Sequence, residues 1–595
     1  MIGIRNCLLA LVPVLLAAGV SGQDEFPLVE TSLGFIGGSY GADGFTEQFF
    51  GIQYANVPER FARSEVIDEP FEDDYYNASS FGPKCWQENA DPTEDEYSEF
   101  DCLVLNIYRP TFPDGEEPLS TMVWIHGGSL ISGAGEDDDG TYLSLLQNVI
   151  VITINYRLGV LGFIAQDEDG TGGLNGMDDQ INALKWINQH IESFGGTNSS
   201  ITIFGESSGG DSVTVLSVSP LAYGLFQRAI VMSGPAGLGW RPFKPDKGWE
   251  VTESTLAHHG AASIEALKSV DDFPAQQIVT FSPEFEYLEA FPDFAQMIDS
   301  KYTIDGLVLS DRPHTLYTNP DNINPEAMMI GSNSYDGTLG LSDPSFMNGF
   351  VLDEAMRSVF GDDLGDAIFA AYNPNDPPYA GFANATYAAT INIEGDYQVT
   401  CPTRELAAKA AASGYEGPVY LYNYQHFFPG DLNALFVGDD VDVNRDGWAS
   451  HASETFVLFG TDIGEAFGFP FFDNATIAMS EELMARWATF AKTGDPNLPE
   501  YATWTSMSNT GISTPNEEGA AKNVPWLVFR DGTSAMVDDT ETKASQCDLF
   551  FESYMQNEGN VEEGGIPPPE ESSPDVEDVI GMEEASPDEE ASPEE

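Results

Sequence analysis

Gly205-Glu206-Ser207-Ser208-Gly209 is the stretch of this chain with the most chemistry in it. It lies between an apolar strand pattern, Ser200 to Phe204, and a helical one from about Gly210 to Ser217. A G-x-S-x-G at such a junction makes a sharp turn that presents the serine, and the glycines let strand and helix close around it. The N–H of Ser208 then opens a helix and points toward any negative charge that develops beside Ser207. A serine hydroxyl is a weak nucleophile at neutral pH, so it requires a histidine base, and the histidine a carboxylate to orient it.

On a strand-turn-helix serine the partners follow in the order serine, acid, histidine. Downstream stand His258, His259, His314, His426 and His451. His451 sits in a Gly/Asp-rich loop before Glu454-Thr455-Phe456-Val457-Leu458-Phe459, a setting suited to a base on a loop, and is favoured over His426. His426, between Tyr424 and Phe427, reads as packed among aromatics. The acid should follow a strand end: Ala327 to Ile330 is apolar and leads through Gly331-Ser332-Asn333-Ser334-Tyr335 to Asp336. His126-Gly127-Gly128-Ser129, after another strand, has the form of the H-G-G-G loops whose N–H groups hold an oxyanion.

These segments need a scaffold, and the hydrophobic pattern describes one. Thr121 to Ile125 and the β-branched run Val149 to Asn155 read as buried strands. Met177, Ile181, Leu184, Ile187 and Ile191 recur at helical spacing until Phe194-Gly195-Gly196 ends the helix. Strand, helix and strand alternate from Phe26 to about Tyr554, which predicts an α/β architecture around a large, mostly parallel, twisted central sheet flanked by helices.

Composition limits the partners. The formal charge of -74 and pI near 4.1 oppose nucleic acid and anionic membranes as ligands, and suit a protein kept soluble in saline surroundings. Arg5, the apolar run Leu8 to Val20 and the small Val20, Ser21 and Gly22 predict a secretory signal over residues 1–22, with no transmembrane anchor elsewhere. Residues 23–555 form the expected catalytic domain. Residues 556–595, rich in Glu, Asp, Pro and Ser, read as a disordered acidic tail. Once Cys7 leaves with the signal, Cys85, Cys102, Cys401 and Cys547 form an even set in an oxidising compartment. Asn77, Asn198, Asn384 and Asn474 open glycosylation sequons. Asp442, Asn444, Asp446 and Gly447 match the opening of a calcium loop, but its closing glutamate arrives one residue late, so an acidic loop without metal is expected.

Taken together these residues resemble the type-B carboxylesterase/lipase family of the α/β-hydrolase superfamily, which includes the cholinesterases. The likeness runs through Gly51-Ile52-Gln53-Tyr54-Ala55, Asp101-Cys102-Leu103-Val104-Leu105-Asn106, Asn155-Tyr156-Arg157-Leu158-Gly159, Asp179-Gln180, Phe194-Gly195-Gly196, the Ser207 turn, Phe226-Gln227-Arg228-Ala229-Ile230, and His451 with Glu454. The resemblance implies a triad of Ser207, Asp336 and His451, with oxyanion donors from the N–H groups of Gly128, Ser129 and Ser208. It implies supporting acids at Glu206 and Glu454, an acyl-pocket aromatic at Trp240, and disulfides Cys85 to Cys102 and Cys401 to Cys547. No cofactor is implied; the substrate would be a small-molecule or lipid ester.

Four departures qualify the likeness. Ser129 replaces the third glycine of the oxyanion loop, Asp336 stands where many members carry Glu, and Phe100 takes the position of a common Glu that pairs with the arginine matched by Arg60. That ion pair is therefore expected to be absent or shifted to Glu99. The loop between Cys85 and Cys102 lacks the mid-loop tryptophan that holds a quaternary ammonium, which argues against a choline substrate. The alternative reading is a non-catalytic adhesion or binding protein on the same scaffold, as neuroligin-like members are. Those typically lack the serine.

Overall fold

The computed structural model describes residues 26–87, 96–115, 117–235, 242–268, 302–339, 360–376, 385–426, 449–460, 472–509, 523–539 and 542–551, with a few single positions between. The signal, the tail, Trp240, Asn384 and the calcium-like run at Asp442 lie outside the described residues.

Among the described residues the main sheet has eleven strands. In chain order they are β1 (Ser39–Tyr40), β2 (Thr46–Gln53), β3 (Val104–Pro110), β4 (Leu119–Ile125), β5 (Ile150–Ile154), β6 (Gly196–Glu206), β7 (Arg228–Met232), β8 (Ala327–Asn333), β9 (Val419–Tyr424), β10 (Trp526–Arg530) and β11 (Thr533–Val537). Their spatial order is β11-β10-β9-β8-β7-β6-β4-β5-β3-β2-β1. Pairing is parallel from β5 across to β10 and antiparallel at both flanks. This is the α/β class read from the alternating pattern, with the parallel strands buried in the middle as their apolar runs require.

The two-residue period of a strand sends alternate side chains to opposite faces, and each face has its own core. Val123 and Ile125 of β4 join one core, which takes Met177, Ile181, Leu184 and Ile187 from helix α1 (Asn175–His190). Met122 and Trp124 join the other. That second core also holds Val457, Leu458 and Phe459 of helix α3 (Ser453–Phe459), and Leu483, Met484 and Trp487 of helix α4 (Asn474–Thr493). Trp124, Phe204 and Phe459 meet there, with ring centroids 4.9 Å apart for Trp124–Phe204 and 5.0 Å for Trp124–Phe459. One aromatic cluster thus fixes β4, β6 and the helix that follows His451 relative to one another.

The motif residues that do no obvious chemistry have structural uses. Arg157 donates from Nε and an Nη to the two carboxylate oxygens of Asp179 at 2.8 Å each, and its other Nη donates to the Ala62 carbonyl at 2.6 Å. Asp179 also accepts from Ser64 Oγ at 2.6 Å and from Arg157 N–H at 3.2 Å, so the carboxylate of this buried ion pair is fully hydrogen-bonded. Arg60 forms two hydrogen bonds with Glu99, at 2.6 and 2.7 Å, so of the two outcomes expected from Phe100 the pair is shifted rather than absent. Both expected disulfides are present, Cys85–Cys102 and Cys401–Cys547, spanning 17 and 146 residues. Among the described residues no helix is long and apolar enough to cross a membrane.

Asp179→Ala would leave the Arg157 guanidinium buried without its counter-charge, and is expected to cost about 3–5 kcal/mol. Urea denaturation of the purified variant measures this. A loss below about 1 kcal/mol would contradict it.

Candidate active site

Strand β6 runs two residues further than its apolar pattern, to Glu206, and helix α2 (Ser208–Leu216) starts at Ser208, so Ser207 alone makes the turn. Its φ of 57° and ψ of -129° are strained for a residue with a side chain, a cost of about 1–3 kcal/mol. The turn is held from both sides. Ser207 N–H donates to the Met232 carbonyl on β7 at 2.9 Å, and the Ser207 carbonyl accepts from Asp211 N–H at 2.9 Å. Gly209 is required by close approach: a Cβ there would stand 2.0 Å from the Ile125 carbonyl and push β4 away from the helix.

The loop after β4 lies against this turn. A Cβ on Gly127 would come within 3.1 Å of Ser207 Cβ, and Gly128 has a φ of +100° that only glycine adopts with ease. Ser129 and Leu130 continue at φ of 58° and 59°. Among the described residues the N–H groups of Gly128, Ser129 and Ser208 have no acceptor. Three donors beside a serine whose own turn is strained form a cradle suited to an oxyanion. His126 stacks on Tyr156 with centroids 4.4 Å apart, and burial pushes its imidazole down to about 4, so it is neutral here.

The structure brings His451 and Asp336 together: His451 Nδ1 is 2.9 Å from Asp336 Oδ1. The other carboxylate oxygen of Asp336 accepts from Asn333 N–H at 2.6 Å and Ser233 Oγ at 3.1 Å, so the acid is fixed in orientation. Two loops are laced to achieve this. Tyr335 N–H donates to the Ala449 carbonyl at 3.0 Å, Ala449 N–H donates to Ser334 Oγ at 2.9 Å, and Asn333 Nδ2 donates to the Ser450 carbonyl at 2.8 Å. Sequence reasoning missed Asn333 and Ser233. The only signal was polarity at the ends of β7 and β8, where a packed strand end would otherwise be apolar.

On its far side the imidazole meets the elbow, with Nε2 3.0 Å from Oε1 of Glu206, the residue preceding Ser207. The ring is thus between two carboxylates. Burial opposes its positive charge, but Glu206 and Asp336 outweigh burial and hold its pKa well above 6.5. Glu454, also assigned by resemblance, accepts from Asn333 Nδ2 at 2.5 Å. Burial, with the Glu206 and Asp336 charges, raises its carboxyl well above the ordinary glutamate range. His426 instead has Nε2 3.0 Å from Thr476 Oγ1 in a buried position beside Tyr424, as its aromatic neighbours suggested. His451 thus contacts both Asp336 and Glu206, Asn333 bonds both Asp336 and Glu454, and Ser207 adjoins Glu206 in the chain. Among the described residues no cluster of His, Cys, Asp or Glu has the arrangement of a metal site.

The carboxylesterase family model matches residues 25–523. Carboxylesterase 1E of Mus musculus is 30% identical over 547 residues, covering 83% of this chain and 92% of that protein. Neuroligin-2 of Homo sapiens is 29% identical over 549 residues, covering 81% of this chain but 62% of that protein, less than two thirds of its length. Among solved structures, a PNB esterase superposes with a TM-score of 0.68 at 26% identity, over 88% of this chain and 99% of its own.

A base must be neutral to accept a proton, so raising the imidazole's pKa moves the acid limb of activity upward. On a nitrophenyl ester, kcat/KM is expected to fall as pH drops through a value above 6.5. Glu206→Gln removes one of the two charges and should move that limb to lower pH by about one unit. An unmoved limb, or one shifted upward, would show that Glu206 does not face the charged ring.

Proposed function

The chain belongs to the carboxylesterase family, and from that premise we propose that it is a secreted serine hydrolase that cleaves carboxylic esters through Ser207, His451 and Asp336. The observation that carries this is the strained Ser207 elbow with the Asp336-bound His451 beside it.

Ser207 Oγ attacks the ester carbonyl while His451 Nε2, released from Glu206, accepts its proton. The carbonyl oxygen becomes an oxyanion, which takes hydrogen bonds from the N–H groups of Gly128, Ser129 and Ser208. Asp336 keeps the proton on Nδ1 and stabilises the imidazolium. The tetrahedral intermediate collapses, the alcohol leaves with the proton from Nε2, and Ser207 is left acylated. Water then enters, His451 removes its proton, and a second tetrahedral intermediate breaks down to the acid and free Ser207. Ser129 supplies the same N–H that a glycine would, and the shorter Asp336 reaches the imidazole at 2.9 Å.

Two disulfides and the exposed sequon residues Asn77, Asn198 and Asn474 support an extracellular, glycosylated protein. The likeness to neuroligin-2 supports a second reading, a non-catalytic binding protein on the same scaffold. Turnover of short-chain nitrophenyl esters separates the two.

Because the three groups act as a unit, Ser207→Ala and His451→Ala are each expected to lower kcat by about 10⁴- to 10⁶-fold, with little further loss when combined. Asp336→Asn should cost less than either. Full activity in His451→Ala, or its loss in His426→Ala instead, would overturn the assignment.

A further inference from the structure

Leu130 N–H donates to the side-chain Oγ of Ser208 at 3.1 Å, a contact that joins the loop after β4 directly to the residue following Ser207. At the other end of the same segment, Tyr156 Oη donates to the His126 carbonyl at 2.8 Å. Two buried hydroxyls, Ser208 Oγ and Tyr156 Oη, therefore hold the two ends of the segment from His126 to Leu130, the segment that contributes Gly128 and Ser129 to the oxyanion cradle.

That segment has reason to be held. Ser129 and Leu130 both occupy the left-handed region, which side-chain-bearing residues disfavour, and Leu130 is buried at 2% exposure. Left to itself the backbone would relax toward negative φ and turn its N–H groups away. The Leu130 carbonyl accepts from Gly159 N–H at 2.7 Å, but that contact fixes the outer side of the residue only. The inner side, facing the elbow, is fixed by Ser208. Helix α2 keeps Ser208 in register, because its carbonyl accepts from Ser212 Oγ at 2.9 Å while Ser212 receives Gln180 Nε2 at 3.0 Å.

We propose that the Ser208 side chain is a positioning residue for the oxyanion hole: its hydroxyl clamps the strained His126–Leu130 loop to the nucleophile elbow, so that the Gly128 and Ser129 N–H groups stay aimed at the developing oxyanion. Ser208 thus acts twice, through its own N–H on the oxyanion and through its Oγ on the loop that supplies the other donors. The inference rests on the ester-hydrolase reading of the site.

The test is Ser208→Ala, which keeps the backbone N–H and removes the clamp, compared with Ser208→Thr, which keeps the hydroxyl. Active sites are titrated with an organophosphate so that kcat is expressed per competent site. Ser208→Ala is expected to lower kcat by about 10- to 100-fold with KM within about threefold, less than the loss of one whole oxyanion donor. Affinity for a trifluoromethyl ketone, which forms a tetrahedral adduct, should fall by the same factor as kcat/KM. Ser208→Thr should recover most of both. A variant that merely folds poorly would lose titratable sites and melt earlier, with kcat per site and ketone affinity unchanged; that result, or kcat within twofold of the parent, overturns the proposal. If the parent protein turns over no ester and takes no label, the ester-hydrolase reading fails instead. The clamp is then read by amide hydrogen exchange, where Ser208→Ala must speed exchange at Leu130 N–H, and equal rates would sink it.

Discussion

The hydrogen bond between Asp336 and His451 joins positions 115 residues apart, and the organisation of the site follows from the need to make it. An imidazole on a loop has no reason to keep one orientation. Here the orientation is imposed by a carboxylate that is itself immobilised, with Asn333 N–H and Ser233 Oγ occupying its second oxygen. The lacing of 333–335 to 449–450, through the Tyr335 N–H to Ala449 carbonyl bond and the Asn333 and Ser334 side chains, brings the two loops into register. The Trp124–Phe204–Phe459 cluster then ties the helix after His451 to the strands that carry Ser207 and the oxyanion loop. Chemistry at one ring depends on packing across both loops and a sheet face.

Strain marks the place where the reaction would occur. Ser207, Ser129, Leu130 and Ser233 all have positive φ although none is glycine. A flexible chain would relax each of them, at a gain of about 1–3 kcal/mol apiece. They persist because the parallel strands β4, β6, β7 and β8 are buried on both faces and leave their ends no alternative path. Pre-organisation of this kind places dipoles before the substrate arrives, so that no free energy is spent turning them during the reaction.

Much of this was legible in the sequence, for identifiable reasons. The Ser207 turn, the oxyanion loop and Asp336 each sit at the end of an apolar strand, and strand ends are written in local pattern. The Arg60 to Glu99 shift followed from a single substitution in a recognisable pair. What local pattern does not carry is the contact between distant loops: Asn333 and Ser233 holding the acid, Glu206 turning back onto the imidazole, and Ser208 reaching Leu130. These depend on which strand ends come to lie side by side, and that is decided by sheet order rather than by periodicity. The end of β6 is not legible either, since its last two residues, Gly205 and Glu206, look like turn and surface types yet are buried at the centre of the sheet.

The central claim is that one serine, activated by His451, is the nucleophile. Mass mapping after reaction with a radiolabelled organophosphate tests it most directly. The account predicts stoichiometric label on the peptide bearing Ser207, at a rate that collapses in His451→Ala. Label on another serine, or undiminished labelling in His451→Ala, would contradict it.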